Sequence, residues 1–158
     1  WVPIIDVLGT PFDAHLPFYP AAHLRPDIKE WTDAPKLILH GAADDWTPVH
    51  LVESLLPQLP NANLKIYPDA YHSFDSENEY VRLPKAITLK KRTIRIHENG
   101  YMSGELFLGL RLPVNKRWQR RLILRLLRNR GATVEGNPEA RADALKRSKE
   151  FFLEHLCS

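Results

Sequence analysis

The sequence predicts an α/β fold in which short parallel strands alternate with flanking helices. Three observations carry this. An apolar run over residues 36–40 stops at Gly41, and a second short strand over residues 63–67 is closed by Pro68. Between them Leu51, Val52, Leu55, Leu56 and Leu59 recur at helical spacing. Strand, helix and strand within about 35 residues form a βαβ unit, whose strands run parallel through a right-handed crossover. At 158 residues, with 44% hydrophobic and 26% charged residues, the chain reads as one globular domain and not as a disordered one.

Taken in order, residues 1–8 are apolar and read as a short strand. Pro11, Pro17, Phe18, Tyr19, Pro20 and Pro26 follow, a pattern for an irregular loop over a surface. Pro35 and Gly41 bracket the first firm strand. Thr47-Pro48 reads as N-cap and first helical position, and Pro60 ends that helix. Residues 76–136 are less regular and read as an insertion or lid. Ile87, Thr88, Thr93, Ile94 and Ile96 favour a strand over residues 86–97, Asn99-Gly100 is a hairpin turn signal, and residues 101–112 read as the returning strand. Residues 116–130 read as an amphipathic helix. Trp118, Leu122, Ile123, Leu126 and Leu127 form its core stripe, the arginines face solvent, and Gly131 stops it. Asn137-Pro138-Glu139 opens a last helix to about Leu156, with Ala140, Ala144, Leu145, Ser148, Phe152 and Leu156 on its apolar side.

The chemistry sits at the two strand ends. A parallel strand closed by a tight turn aims its first loop residues at the carboxyl edge of the sheet, where active sites of open α/β sheets lie. Asp44 follows the first strand and His72 the second, and residues 45–71 have room for one helix and one strand. An acid and then a histidine at successive strand ends is the order of the last two members of a nucleophile–acid–histidine triad. The nucleophile should precede Asp44, yet no serine or cysteine occurs before Ser54. Asp45 is the competing acid and reads as a cap or a solvent-facing residue. Ser73 diverges from His72 and does not replace the nucleophile. His40, Asp44, Asp45 and His50 lack the tight spacing of a zinc site, so no metal is expected. His15, His23 and His97 are scattered and read as solvent-exposed.

The residues around both positions resemble the dienelactone hydrolase family. Residues 35–48 (PKLILHGAADDWTP) are similar to its acid strand and turn, G-x-x-D-x-x-x-P, and residues 67–75 (YPDAYHSFD) to its Y-P-x-A-x-H-x-F histidine turn. Phe18-Tyr19-Pro20 is similar to the FYP that members carry before the acid strand, and residues 137–156 resemble the closing helix. The resemblance implies the carboxyl-terminal part of an α/β-hydrolase sheet, with residues 76–136 inserted. It implies Asp44 as acid, His72 as base, and hydrolysis of a small-molecule ester or lactone through an acyl-enzyme, with no cofactor. The nucleophile elbow, G-x-[Ser or Cys]-x-G, is not among these residues, so the chain alone is expected to be inactive.

Composition limits the alternatives. A net charge of +3 and a pI near 9.1 are too weak to imply a polyanionic partner. The basic stretch 85–130 leaves a membrane or nucleic-acid interaction domain as an alternative, beside a non-catalytic binding module of hydrolase-like fold. Cys157 is the only cysteine, which excludes an intramolecular disulfide and favours a cytoplasmic setting. No apolar stretch reaches the roughly 18–20 residues that cross a bilayer. A sheet edge left open beside the first strand favours self-association.

Overall fold

The computed structural model describes residues 12–27, 31–89, 93–105 and 110–156. The strand expected over residues 1–8, Cys157, residues 90–92 of the expected 86–97 strand and residues 106–109 of its return lie outside them.

Among the described residues the first element is strand β1 (Leu24–Pro26), followed by β2 (Lys36–Gly41), helix α1 (Val49–Glu53), a 3-10 turn at Leu56–Gln58, and β3 (Ala62–Tyr67). β2 and β3 pair in parallel, from Lys36 opposite Ala62 to Gly41 opposite Tyr67. Along the other edge of β2 residues 15–18 run parallel to it, with bridges from His15 to Lys36 and from Phe18 to Leu39. Successive side chains of a strand point to opposite faces, so β2 supplies two cores. Leu39 joins Tyr67, Ala70, Phe74, Ala140 and Ala144 beneath the last helix, α3 (Pro138–Leu156). Ile38 joins Ala22, Leu51 and Val52 beneath α1. This double burial explains why β2 reads as a continuous apolar run.

α1 is shorter than the apolar spacing predicts, ending at Glu53. Thr47 does not cap it, because its hydroxyl is used elsewhere, as described below. At the opposite end of the sheet Lys36 is buried, and its ammonium donates to the carbonyls of Thr32, Ala34 and Pro60 at 2.5, 2.7 and 3.0 Å. Three carbonyl acceptors replace the water that burial removes.

Residues 76–136 leave and return at one place. β4 (Val81–Thr88) pairs antiparallel with β8 (Asn129–Val134), and the register shifts between Leu83 and Ile87, around Pro84, which has no N–H to offer. Between them lie β5 (Ile94–Ile96), β6 (Met102–Glu105), β7 (Arg111–Pro113) and helix α2 (Arg117–Leu127). β5 and β6 form an antiparallel hairpin about Gly100, whose φ is 77°. β1 adds in parallel to β5, and β7 antiparallel to β6.

Two helical faces differ from the sequence reading. α2 ends at Leu127, and Gly131, expected to stop it, lies inside β8 with φ 93°. Of its described apolar side chains only Ile123 is buried, against Leu89 and Val114, while Trp118, Leu122 and Leu126 are exposed. On α3 the buried aromatic is Phe151 rather than Phe152, and Leu145 is 72% exposed. Apolar periodicity marks a face able to be buried; the neighbouring elements decide which part of it is.

Candidate active site

Gly41 makes the site possible. A Cβ there would stand 2.1 Å from the carbonyl oxygen of Ala70, which accepts a hydrogen bond from Ala43 at 3.1 Å. Ala42 likewise donates to Tyr67 at 2.9 Å. These contacts draw the turn after β2 against the turn after β3, and the two candidate side chains meet. His72 Nδ1 lies 2.9 Å from Asp44 Oδ2.

Asp44 is fully buried at its side chain, and His72 is 17% exposed. A carboxylate so buried needs several donors. Oδ1 accepts from the backbone N–H groups of Trp46 and Thr47, both at 2.8 Å, and Oδ2 accepts from Thr47 Oγ1 at 2.8 Å as well as facing His72. Asp44 therefore organises its own turn and presents one oxygen to the imidazole. Thr47 Oγ1 also lies 3.1 Å from the carbonyl oxygen of Tyr19 and 3.2 Å from His72 Nδ1. It approaches the nitrogen already facing the acid, so it buttresses the pair and does not stand where a nucleophile would.

Aromatic rings hold the imidazole. Tyr19 and Trp46 pack on it at centroid separations of 4.3 and 4.9 Å. Tyr19, in the Phe-Tyr-Pro segment, also donates to Asp75 at 3.1 Å. Burial, then the nearby Asp75 carboxylate, pushes its phenol up to about 12. Phe74, fully buried, packs against Phe18, Tyr19 and Tyr67, so Phe74 and Asp75 shape the histidine turn. Ser73 takes the positive φ of 64° that the turn requires, and Ser76 donates back to its carbonyl through both N–H and Oγ.

Asp45 corrects the sequence reading of a cap or solvent-facing residue. It accepts from the N–H of Thr133 at 2.6 Å and pairs with the Arg82 guanidinium, so it ties the acid turn to β4 and β8. The carbonyl of Trp46 accepts from Thr88 Oγ1 at 3.2 Å. The histidine turn is tied to the same ribbon: His72 bridges to Val134, and its carbonyl accepts from Glu135 at 3.2 Å. Gly136 donates to Asn78 and Asn137 to Phe74, at 2.8 and 2.9 Å. None of these links is legible locally, because each joins residues distant in sequence.

His15, His23 and His97 are not the solvent-exposed set that the sequence suggested. His15 is buried beside Lys36, and burial first, then the Lys36 charge, lowers its pKa. His40 is fully buried, and burial dominates in lowering its pKa. His97 forms a second relay, with Nδ1 2.7 Å from Asp27 Oδ2 and Nε2 2.8 Å from Ser103 Oγ. Here the accessibility is reversed relative to a working triad. Ser103 is 8% exposed while the Asp27 side chain is 28% exposed, so the hydroxyl that would meet a substrate is the buried end. This relay fastens the β5–β6 hairpin to the end of β1. Among the described residues no cluster of His, Cys, Asp and Glu has the geometry to hold a metal ion.

No curated protein and no solved structure matches the chain. A family model does: the one described as the dienelactone hydrolase family matches residues 5–101, more than half of the sequence and including both Asp44 and His72. The chain thus belongs to the dienelactone hydrolase family, with the α/β-hydrolase type of fold and hydrolase-type function that membership carries.

Proposed function

We propose that this chain supplies the acid, Asp44, and the base, His72, of an ester or lactone hydrolase whose serine or cysteine nucleophile lies outside these 158 residues. The single observation that carries the reading is the buried 2.9 Å contact between Asp44 and His72 at the ends of two neighbouring parallel strands. With Nδ1 facing the acid, Nε2 is the nitrogen that takes the proton from the nucleophile and returns it to the leaving group. Asp44 holds the Nδ1–H tautomer and stabilises the imidazolium as it forms. The nucleophile takes the acyl group, and a water molecule deprotonated by His72 releases the acid product. Residues 76–136 act as an insertion over the site, a reading supported by the pairing of their two ends at the histidine turn and by the hold of Thr133 on Asp45.

The test is hydrolysis of a p-nitrophenyl ester. The 158-residue chain is expected to show no turnover that depends on His72. A chain extended upstream to include a G-x-[Ser or Cys]-x-G is expected to turn over, and to lose about 10⁴-fold in kcat with Asp44→Asn and on the order of 10⁶-fold with His72→Ala. Turnover by the 158-residue chain that His72→Ala abolishes would place the nucleophile within it. Turnover by the extended chain that survives His72→Ala would refute the role of His72.

A further inference from the structure

Helix α2 carries more apolar surface than its own domain covers. Ile123 fixes it to the β5–β6–β7 sheet, packed with Leu89 and Val114. One helical turn apart on its outer side, Trp118 is 61%, Leu122 41% and Leu126 57% exposed. Leu110, just before β7, is 55% exposed. Beside that apolar stripe Arg117, Arg121 and Arg125 form a second row at the same four-residue spacing, all exposed. The sequence has no Asp or Glu between Glu105 and Glu135. None of these three guanidiniums is neutralised by an ion pair among the described residues.

An exposed Trp-Leu-Leu stripe flanked by an uncompensated arginine row matches one kind of surface. We propose that α2 docks the protein on an anionic lipid bilayer, lying in the interfacial plane with Trp118, Leu122 and Leu126 at the acyl boundary. Arg117, Arg121 and Arg125 then lie at the level of the lipid phosphates. A helix in this position combines buried apolar area with attraction to anionic headgroups, and an indole sits well at that boundary. A nucleic acid would satisfy the arginine row but leave the aliphatic stripe in water. The complementarity of both rows therefore favours the membrane. No described helix is long and apolar enough to cross a bilayer, so the contact is peripheral.

Co-sedimentation of the whole chain with vesicles tests this. Binding is expected to phosphatidylcholine vesicles containing 30% phosphatidylglycerol and not to pure phosphatidylcholine, and to weaken as salt rises. Arg117→Gln/Arg121→Gln/Arg125→Gln is expected to weaken it on the order of a hundredfold. Trp118→Ser/Leu126→Ser, at two well-exposed apolar positions of the helix, is expected to weaken it at least tenfold with an unchanged circular dichroism spectrum. The arginine variant keeps every apolar contact, so it decides the matter if the serine variant misfolds. Equal binding to neutral and anionic vesicles would overturn the proposal. So would binding that survives the arginine variant, or DNA binding tighter than vesicle binding and indifferent to Trp118→Ser/Leu126→Ser.

Discussion

Replacing Asp44 by asparagine separates the two duties of its carboxylate. The asparagine carbonyl can keep the Oδ1 contacts, the 2.8 Å bonds from the N–H groups of Trp46 and Thr47. At the Oδ2 position an NH₂ group would face Thr47 Oγ1 and His72 Nδ1, at 2.8 and 2.9 Å in the native protein. A donor then stands where an acceptor did. Nδ1 must give up its proton, and the imidazole is driven to the Nε2–H tautomer, the wrong one for a base. Hydrogen bonds to a charged group contribute about 1.5–3 kcal/mol each, and the amide restores part of that by donating to both partners. The expected loss of stability is about 1–3 kcal/mol. Asp44→Ala also strands the two backbone donors, each costing about 1–3 kcal/mol, so it should lose at least about 3 kcal/mol in total. That is a large share of the roughly 5–15 kcal/mol that holds a domain together. Urea unfolding followed by tryptophan fluorescence measures both losses, and ¹⁵N chemical shifts of the imidazole report the tautomer. The reasoning is refuted if Asp44→Asn keeps the Nδ1–H tautomer, or if Asp44→Ala is no more destabilised than Asp44→Asn.

Four further outcomes rest on the packing and the titrating groups. Gly41→Ala drives a Cβ into the backbone of Ala70, which has no side-chain freedom to yield, and should cost at least about 1–3 kcal/mol in urea unfolding. Phe74→Ala empties the fully buried ring position under the histidine turn and should cost about 3–5 kcal/mol and loosen His72 in NMR relaxation. His15, His23 and His40 have pKa values lowered from 6.5, with burial the leading cause in each. The unfolded chain binds protons at higher pH than the native one, so their contribution is present above pH 6.5 and lost as pH falls through the lowered values. At the alkaline end Tyr19 and Tyr67 are pushed up to about 12, by burial first and then by Asp75 and Asp143 respectively. The contribution of these two phenols is therefore full below pH 10 and declines between pH 10 and 12, and absorbance titration should show them ionising near pH 12 in the folded chain and near pH 10 once urea unfolds it.

The βαβ unit, the positions of Asp44 and His72, and the start of α3 were all legible from local residue order. Each rests on short-range chemistry: Gly41 and Pro68 close strands, and Asn137 Oδ1 accepts from the Ala140 N–H at 3.0 Å as the N-cap of the last helix. The Asn99-Gly100 turn was legible for the same reason, since Gly100 supplies the positive φ of the β5–β6 hairpin. Tertiary structure decided what depends on distant partners. The pairing of Val81–Thr88 with Asn129–Val134 spans the whole intervening sheet and helix, and neither strand alternates cleanly enough to announce itself. That ribbon turned Asp45 from a solvent-facing acid into a tether and placed Gly131, locally a helix stop, inside a strand. Likewise the heptad-like spacing of α2 and α3 identified apolar residues, but packing chose Ile123 and Phe151 for the interior and left Trp118, Leu126 and Leu145 outside. Local sequence fixes φ, ψ and periodicity; which face becomes core is set by the surface that arrives to cover it.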